Sequence, residues 1–110
     1  MSKKSIIQLS EFDINQKIIE AMSNVCTRSV LFSVKNESKD VPTISEELKI
    51  SISTVYKTLS NLEELALAEV DKYVITSDGK KIKLYRSRIK QAEISIKKPE
   101  PVLILVSNSK

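Results

Sequence analysis

Apolar residues in the middle of the chain recur at helical spacing in two short bursts, and small polar residues that cap helices stand where each burst begins. In residues 43–70, TISEELKISISTVYKTLSNLEELALAEV, the pattern predicts a first helix opening at Thr43, with Glu46 three residues on returning the cap and Ile44, Leu48 and Ile50 turned inward. A sharp turn follows over residues 49–52. Ser51 is placed to cap a second helix by accepting from amides of its first turn, and Val55, Leu59 and Leu62 repeat at helical spacing into the same core. Ser53, Thr54, Tyr56, Lys57 and Ser60 fall outside that stripe. The outer face of the second helix is therefore hydroxyls, one tyrosine and one lysine, with few acids before Glu63.

Downstream the period changes from helical to alternating. Residues 70–75 and 81–88 are rich in β-branched and aromatic side chains, and between them lies Ser77-Asp78-Gly79-Lys80 with the only glycine of the chain. A β-hairpin is expected, with Gly79 supplying the positive φ of its turn. Behind two helices joined at a sharp turn, such a hairpin makes a wing. Upstream, Ile14, Ile18, Met22 and Val25 fall at three- and four-residue spacing and predict an amphipathic helix over residues 10–25. Ile19 and Ala21 widen its apolar face, which can meet a partner or simply close a monomer's core.

After Arg88 the pattern loses direction. Residues 89–98 can prolong the return strand through a bulge or begin a separate segment, and periodicity leaves both open. Pro99 and Pro101 then precede Val102, Leu103, Ile104, Leu105 and Val106, an apolar run of strand length that would invite aggregation if left bare. Two covers are open to it: the edge of its own hairpin, or a strand added across a dimer interface. The expected organisation is an N-terminal segment over residues 1–10, one domain over 11–96, and a tail over 97–110 with a short strand. The expected core is aliphatic: Ile14, Ile18, Met22, Val25, Val30, Leu31, Val34, Ile44, Leu48, Val55, Leu59, Leu62, Leu65, Leu67, Val74, Ile82 and Leu84, with Phe12 and Phe32 the largest members.

Charge is segregated more sharply than the net charge of +4 conveys. Residues 72–98 hold nine basic side chains against two acidic ones, whereas residues 11–71 hold eleven acids against six bases. The hairpin is the basic pole, carrying Lys80, Lys81, Lys83, Arg86, Arg88 and Lys90. A positive hairpin beside a helix start nearly free of acids suits phosphates on both sides of a DNA groove, where counterion release supplies affinity. The competing reading is protection of an exposed hairpin edge by lysine.

These residues carry a resemblance. The run CTRSVLFSV from Cys26, the helix pair with STVYKTLSNLEE at its centre, and a hairpin ending LYRSRI resemble the winged helix-turn-helix transcription regulators of the ArsR-like and MarR-like kind, particularly small archaeal ones, over roughly residues 11–90. The resemblance implies an α+β fold, mainly helical with a two- or three-stranded wing. It also implies a recognition helix over residues 52–65, with Ser53, Thr54, Tyr56 and Lys57 facing bases and phosphates, and a wing over residues 72–88 reaching flanking backbone or the minor groove. Two glycines usual in that pattern are replaced here, by Lys49 in the turn and Ala66 after the recognition helix. Lys49 is then expected to end its helix in ordinary backbone geometry.

Other chemistries find little footing. The chain has no histidine and one cysteine, so transition-metal sensing and zinc fingers lack ligands, and Cys26 is expected to pack rather than react. A histidine base, a glycine-rich phosphate loop and a nucleophile elbow are missing, and the neighbours Glu46-Glu47 and Glu63-Glu64 diverge on a helix, which points away from an enzyme. No cofactor is expected. A lone cysteine fits a reducing compartment, no run reaches the roughly twenty apolar residues that cross a bilayer, and the apolar stretch of MSKKSIIQL is too short for a signal peptide. A cytoplasmic protein is expected.

The reading is a sequence-specific binder of double-stranded DNA that regulates transcription as a homodimer. Ser53, Thr54 and Tyr56 would sample base edges and nearby phosphates in the major groove, Lys57 and Ser60 would fix the backbone, Lys80, Lys81, Arg86 and Arg88 would supply wing contacts, and Ser51 at the helix start counts among the DNA-binding residues. The alternatives are a winged helix used as a protein-interaction module of the transcription machinery, favoured by the acidic body and sticky tail, and a non-specific DNA-coating protein.

Overall fold

The computed structural model of the chain describes residues 11–109. The expected N-terminal segment over residues 1–10 and the side chain of Phe12 lie outside what is described. The fold is α+β: among the described residues α1 (Glu11–Ser23), α2 (Val25–Ser33), α3 (Val41–Leu48) and α4 (Ile52–Glu64) are followed by β1 (Ala68–Ile75), β2 (Lys81–Ser87), β3 (Ile89–Ser95) and β4 (Val102–Ser107). The strands form two antiparallel two-stranded sheets, β1 with β2 and β3 with β4.

The core lies where the helices meet the base of the first sheet. Ile18 and Met22 of α1, Val30 and Leu31 of α2 with Val34 just beyond it, Ile44 of α3, and Val55, Leu59 and Leu62 of α4 are buried together. Leu67, Ala68, Tyr85 and Ile89 close it from the strands, and Phe32, Leu48 and Leu65 pack half-buried against it. Three expected core members face out instead: Ile14, Val25 and Val74 are exposed. For Val25 the cause is local. Asn24 interrupts the helix read over residues 10–25, its side chain accepting from the Thr27 amide at 2.9 Å, so Val25 becomes the first residue of α2 rather than the last turn of α1. Val74 lies on the hairpin beyond the reach of the core.

Capping sets α3 and α4. Asp40, not Thr43, begins α3: its side chain accepts from the Thr43 amide at 2.9 Å, and Pro42 sits in the first turn, where its missing N–H is no loss. Thr43 is thus inside the helix it was expected to open. Ser51 caps α4 as expected, accepting from the Thr54 amide at 3.2 Å. Both helices end in left-handed backbone without glycine. Lys49 has φ 56° and Ala66 φ 61°, and beyond each the next amide reaches back over the turn, Ile50 to the Ser45 carbonyl at 3.1 Å and Leu67 to the Leu62 carbonyl at 2.9 Å. The expectation of an ordinary helical end at Lys49 is therefore corrected: the bend into α4 needs the left-handed step whether or not a glycine is there.

The hairpin forms across Ala68↔Ser87 to Ile75↔Lys81, with a register shift between Val70 and Lys72. Gly79 has φ 86° in its turn, as the sequence required. A further bridge joins the chain before α3 to β2: the Lys39 amide donates to the Tyr85 carbonyl at 3.1 Å and the Tyr85 amide to the Lys39 carbonyl at 2.8 Å. This bridge fixes the hairpin against the start of α3.

Residues 89–95 begin a separate segment and do not prolong β2. Ser87, fully buried, turns the chain by donating its hydroxyl to the Ile89 carbonyl at 2.6 Å, and β3 then pairs with β4 from Ile89↔Ser107 to Ser95↔Val102. The apolar run 102–106 is thus covered on one edge by β3 and not by the first hairpin. Its far end is tied down through Asn108, whose side chain donates to the Lys35 carbonyl at 2.9 Å and the Ser87 carbonyl at 3.0 Å.

Candidate nucleic-acid interface

The site grows from the way α4 divides its faces. Val55, Leu59 and Leu62 are fully buried, so Ser53, Lys57 and Ser60, on the opposite side of the helix, are exposed. At the N-terminus the hydroxyls form a local network: Ser51 Oγ donates to Thr54 Oγ1 at 2.8 Å and lies 3.3 Å from Ser53 Oγ. Thr54 and Ser51 are exposed with them. Tyr56 occupies the flank facing the first hairpin and is 56% exposed.

That flank meets the hairpin across an open cleft of about 350 Å3. Ile52 and Tyr56 of α4 line one wall, Lys81 and Lys83 of β2 the other, and Tyr85 lies at the edge nearest the core. Val41 and Pro42, the first residues of α3, border the same space. The starts of α3 and α4 thus border a cleft whose lining holds two lysines, Lys81 and Lys83, against one carboxylate, Asp40, a balance that favours an anion. Asp40 tempers this at α3, because its carboxylate already occupies the Thr43 amide.

The hairpin tip is internally bonded. The Thr76 amide donates to the Lys80 carbonyl at 2.8 Å, the Gly79 amide to the Thr76 carbonyl at 2.9 Å, and the Lys80 amide to Thr76 Oγ1 at 3.0 Å. Thr76 Oγ1 also donates to Asp78, and this bond holds the Asp78 carboxyl below its ordinary range. Lys80 stands exposed at this tip. Lys81 lays its ammonium 4.3 Å from the centre of the Tyr73 ring, which leaves the charge at the surface while holding its stem.

The ten residues singled out from the sequence therefore separate. Ser51, Ser53, Thr54, Tyr56, Lys57 and Ser60 stand on one exposed helix, and Lys80 and Lys81 are exposed on the hairpin beside it. Arg88 is half-exposed at the far end of β2, 3.9 Å from Glu69. Arg86 does not belong with them: its side chain is only 11% exposed, lies 3.9 Å from Glu69, and donates to the Asn108 carbonyl at 3.0 Å. Strand alternation explains the split, since Arg86 points to the opposite face of β2 from Lys81, Lys83 and Tyr85. Lys83 was missed for the same reason, whereas Ile52 lines the cleft from the first turn of α4 and Tyr73 lies under the Lys81 ammonium, roles that no spacing in the sequence signals. Reading every second residue back from Tyr85 would have found Lys83.

On the other flank of α4, Lys57 and Ser60 border a second hollow shared with Thr27 of α2. Cys26 is a half-buried free thiol. Among the described residues no group of three or more His, Cys, Asp or Glu side chains is placed to hold a metal ion, and no helix is long and apolar enough to cross a membrane. No protein-family model matches the chain, and no curated protein is significantly similar to it.

Proposed function

We propose that this chain is a winged helix-turn-helix regulator of transcription that binds double-stranded DNA as a homodimer in the cytoplasm, without catalysis or cofactor. The observation that carries the reading is the shared cleft: Ile52 and Tyr56 of the second helix and Lys81 and Lys83 of the hairpin open onto one space. A duplex set against α4 would touch both. In that pose Ser53, Thr54 and Lys57 address base edges and nearby phosphates in the major groove, where a helix fits and donors and acceptors distinguish base pairs. Tyr56 and Ile52 offer apolar contact of the kind a thymine methyl accepts. Lys80, Lys81 and Lys83 take the phosphates along the groove's rim, which sets register and orientation but carries no sequence information.

The test is an anisotropy titration with mixed duplex fragments at two salt concentrations, followed by selection of bound fragments from random DNA. Binding that weakens steeply with salt, together with a palindromic consensus among the selected fragments, is the expected result. Absence of binding even at low salt would remove DNA as the partner and favour a protein-interaction module instead.

A further inference from the structure

The second hairpin poses a problem that the DNA reading leaves untouched. β4 is an edge strand, paired on one side with β3 and, among the described residues, with nothing on the other. Natural edges are blunted by charge, proline or bulges, yet residues 102–107 contain neither a charged residue nor a proline. Val102 and Ile104 are exposed on one face of it, and Leu105 with Ile94 of β3 on the other, so the strand presents apolar side chains on both faces as well as a bare backbone edge.

The order of residues in β4 says what fits. Val102-Leu103-Ile104-Leu105-Val106 reads the same in both directions. We propose that two copies of this chain associate by pairing β4 with β4 antiparallel, about a two-fold axis at Ile104, to make a four-stranded sheet ordered β3-β4-β4-β3. In that register Val102 faces the partner's Val106, Leu103 the partner's Leu105 and Ile104 the partner's Ile104. Every cross-strand pair matches apolar with apolar, and no like charges meet. A two-fold contact needs a patch complementary to itself, and a palindromic uncharged strand meets that need at its backbone and at its side chains. The assembly also closes: the outer edges become the two β3 strands, which carry Lys90 and Glu93, so further strands are discouraged. The anchoring of β4 through Asn108 and Arg86 holds the strand in place for a partner.

This pairing deepens the homodimer in the proposed function but does not depend on DNA binding. The experiment compares Ile104→Lys and Ile104→Glu with the wild-type chain by light scattering without DNA. Wild type is expected at twice 12.4 kDa, each variant alone at 12.4 kDa because two like charges meet on the axis, and an equimolar mixture back at twice 12.4 kDa. A monomeric wild type, a variant that stays dimeric, or a mixture that stays monomeric would overturn the pairing. Ile104 is 51% exposed, so the helical circular-dichroism signal of both variants should match wild type. Without any substitution, amide exchange over residues 102–106 should slow as concentration rises through dimerisation, and exchange independent of concentration would also overturn it. A dimer that ignores duplex rejects DNA binding and leaves the β4 pairing standing, whereas a monomer that binds duplex rejects the β4 pairing and the homodimer and leaves DNA binding standing.

Discussion

Lys49 and Ala66 hold backbone conformations in which an L side chain crowds the following carbonyl, at φ 56° and 61°. The strain is tolerated because each step closes a helix end and redirects the chain, into α4 in one case and into β1 in the other. Lys49→Gly and Ala66→Gly are each expected to raise stability by about 1 kcal/mol, read from the shift in urea midpoint at unchanged slope. A midpoint that falls would mean that the left-handed geometry is wrong. Tyr85 offers a test in pH. Burial pushes its phenol above the ordinary value of 10.0. Below pH 10 the ring is protonated in folded and unfolded chains alike, so its contribution is intact; above it the unfolded chain releases the proton first, and stability falls as pH rises. Tyr85→Phe should therefore flatten the alkaline decline of the urea midpoint between about pH 9 and about pH 11. At this scale the sequence was legible where one residue type has one strong local use, as with Ser51 at a cap and Gly79 in a turn. It was not legible at Asp40, where two neighbouring capping residues competed, nor at Lys49 and Ala66, whose side chains carry no mark of positive φ.

Among the elements, the first hairpin shows why counting charges is not the same as placing them. The sequence located both strands and their turn, but only alternation sorts Lys81 and Lys83 onto the cleft side and Arg86 onto the other. Lys81→Ala combined with Lys83→Ala should leave stability nearly unchanged and reduce the slope of log affinity against log salt by roughly 0.9 for each phosphate no longer neutralised. Arg86→Ala should do the reverse. It removes a charge-assisted bond that ties β2 to Asn108 just past β4, and an ion pair with Glu69 of β1, at a cost of about 1–3 kcal/mol in urea unfolding, with the salt slope unchanged. Helical periodicity likewise found the buried stripe of α4 in full, because that helix runs unbroken past its core. It placed Val25 wrongly because the break at Asn24 rotates everything after it, and a break cannot be seen in spacing alone. The pairing of β3 with β4 was hidden for a different reason: the two strands are consecutive, but the connection over residues 96–101 has no glycine and carries two prolines, so it lacks the tight-turn signal that marked the first hairpin.

For the whole molecule, the described chain is elongated, 52 × 35 × 26 Å, with a radius of gyration of 16.0 Å against the roughly 13 Å of a compact chain of this length. The two hairpins account for the difference, since both extend from the core that the helices share. Their surfaces differ in kind: the first is basic and faces the cleft beside α4, while the second is apolar along β4. In the proposed function these two surfaces divide the work, with duplex at one hairpin and a second copy at the other. In the proposed function α4 and the first hairpin touch the same duplex at once. Backbone amide shifts recorded while a bound duplex is titrated in test this most directly. Residues 51–60 and 73–83 should shift together, at one stoichiometry, while residues 89–107 keep their free positions. Shifts confined to either surface alone, or centred on the second hairpin, would contradict it.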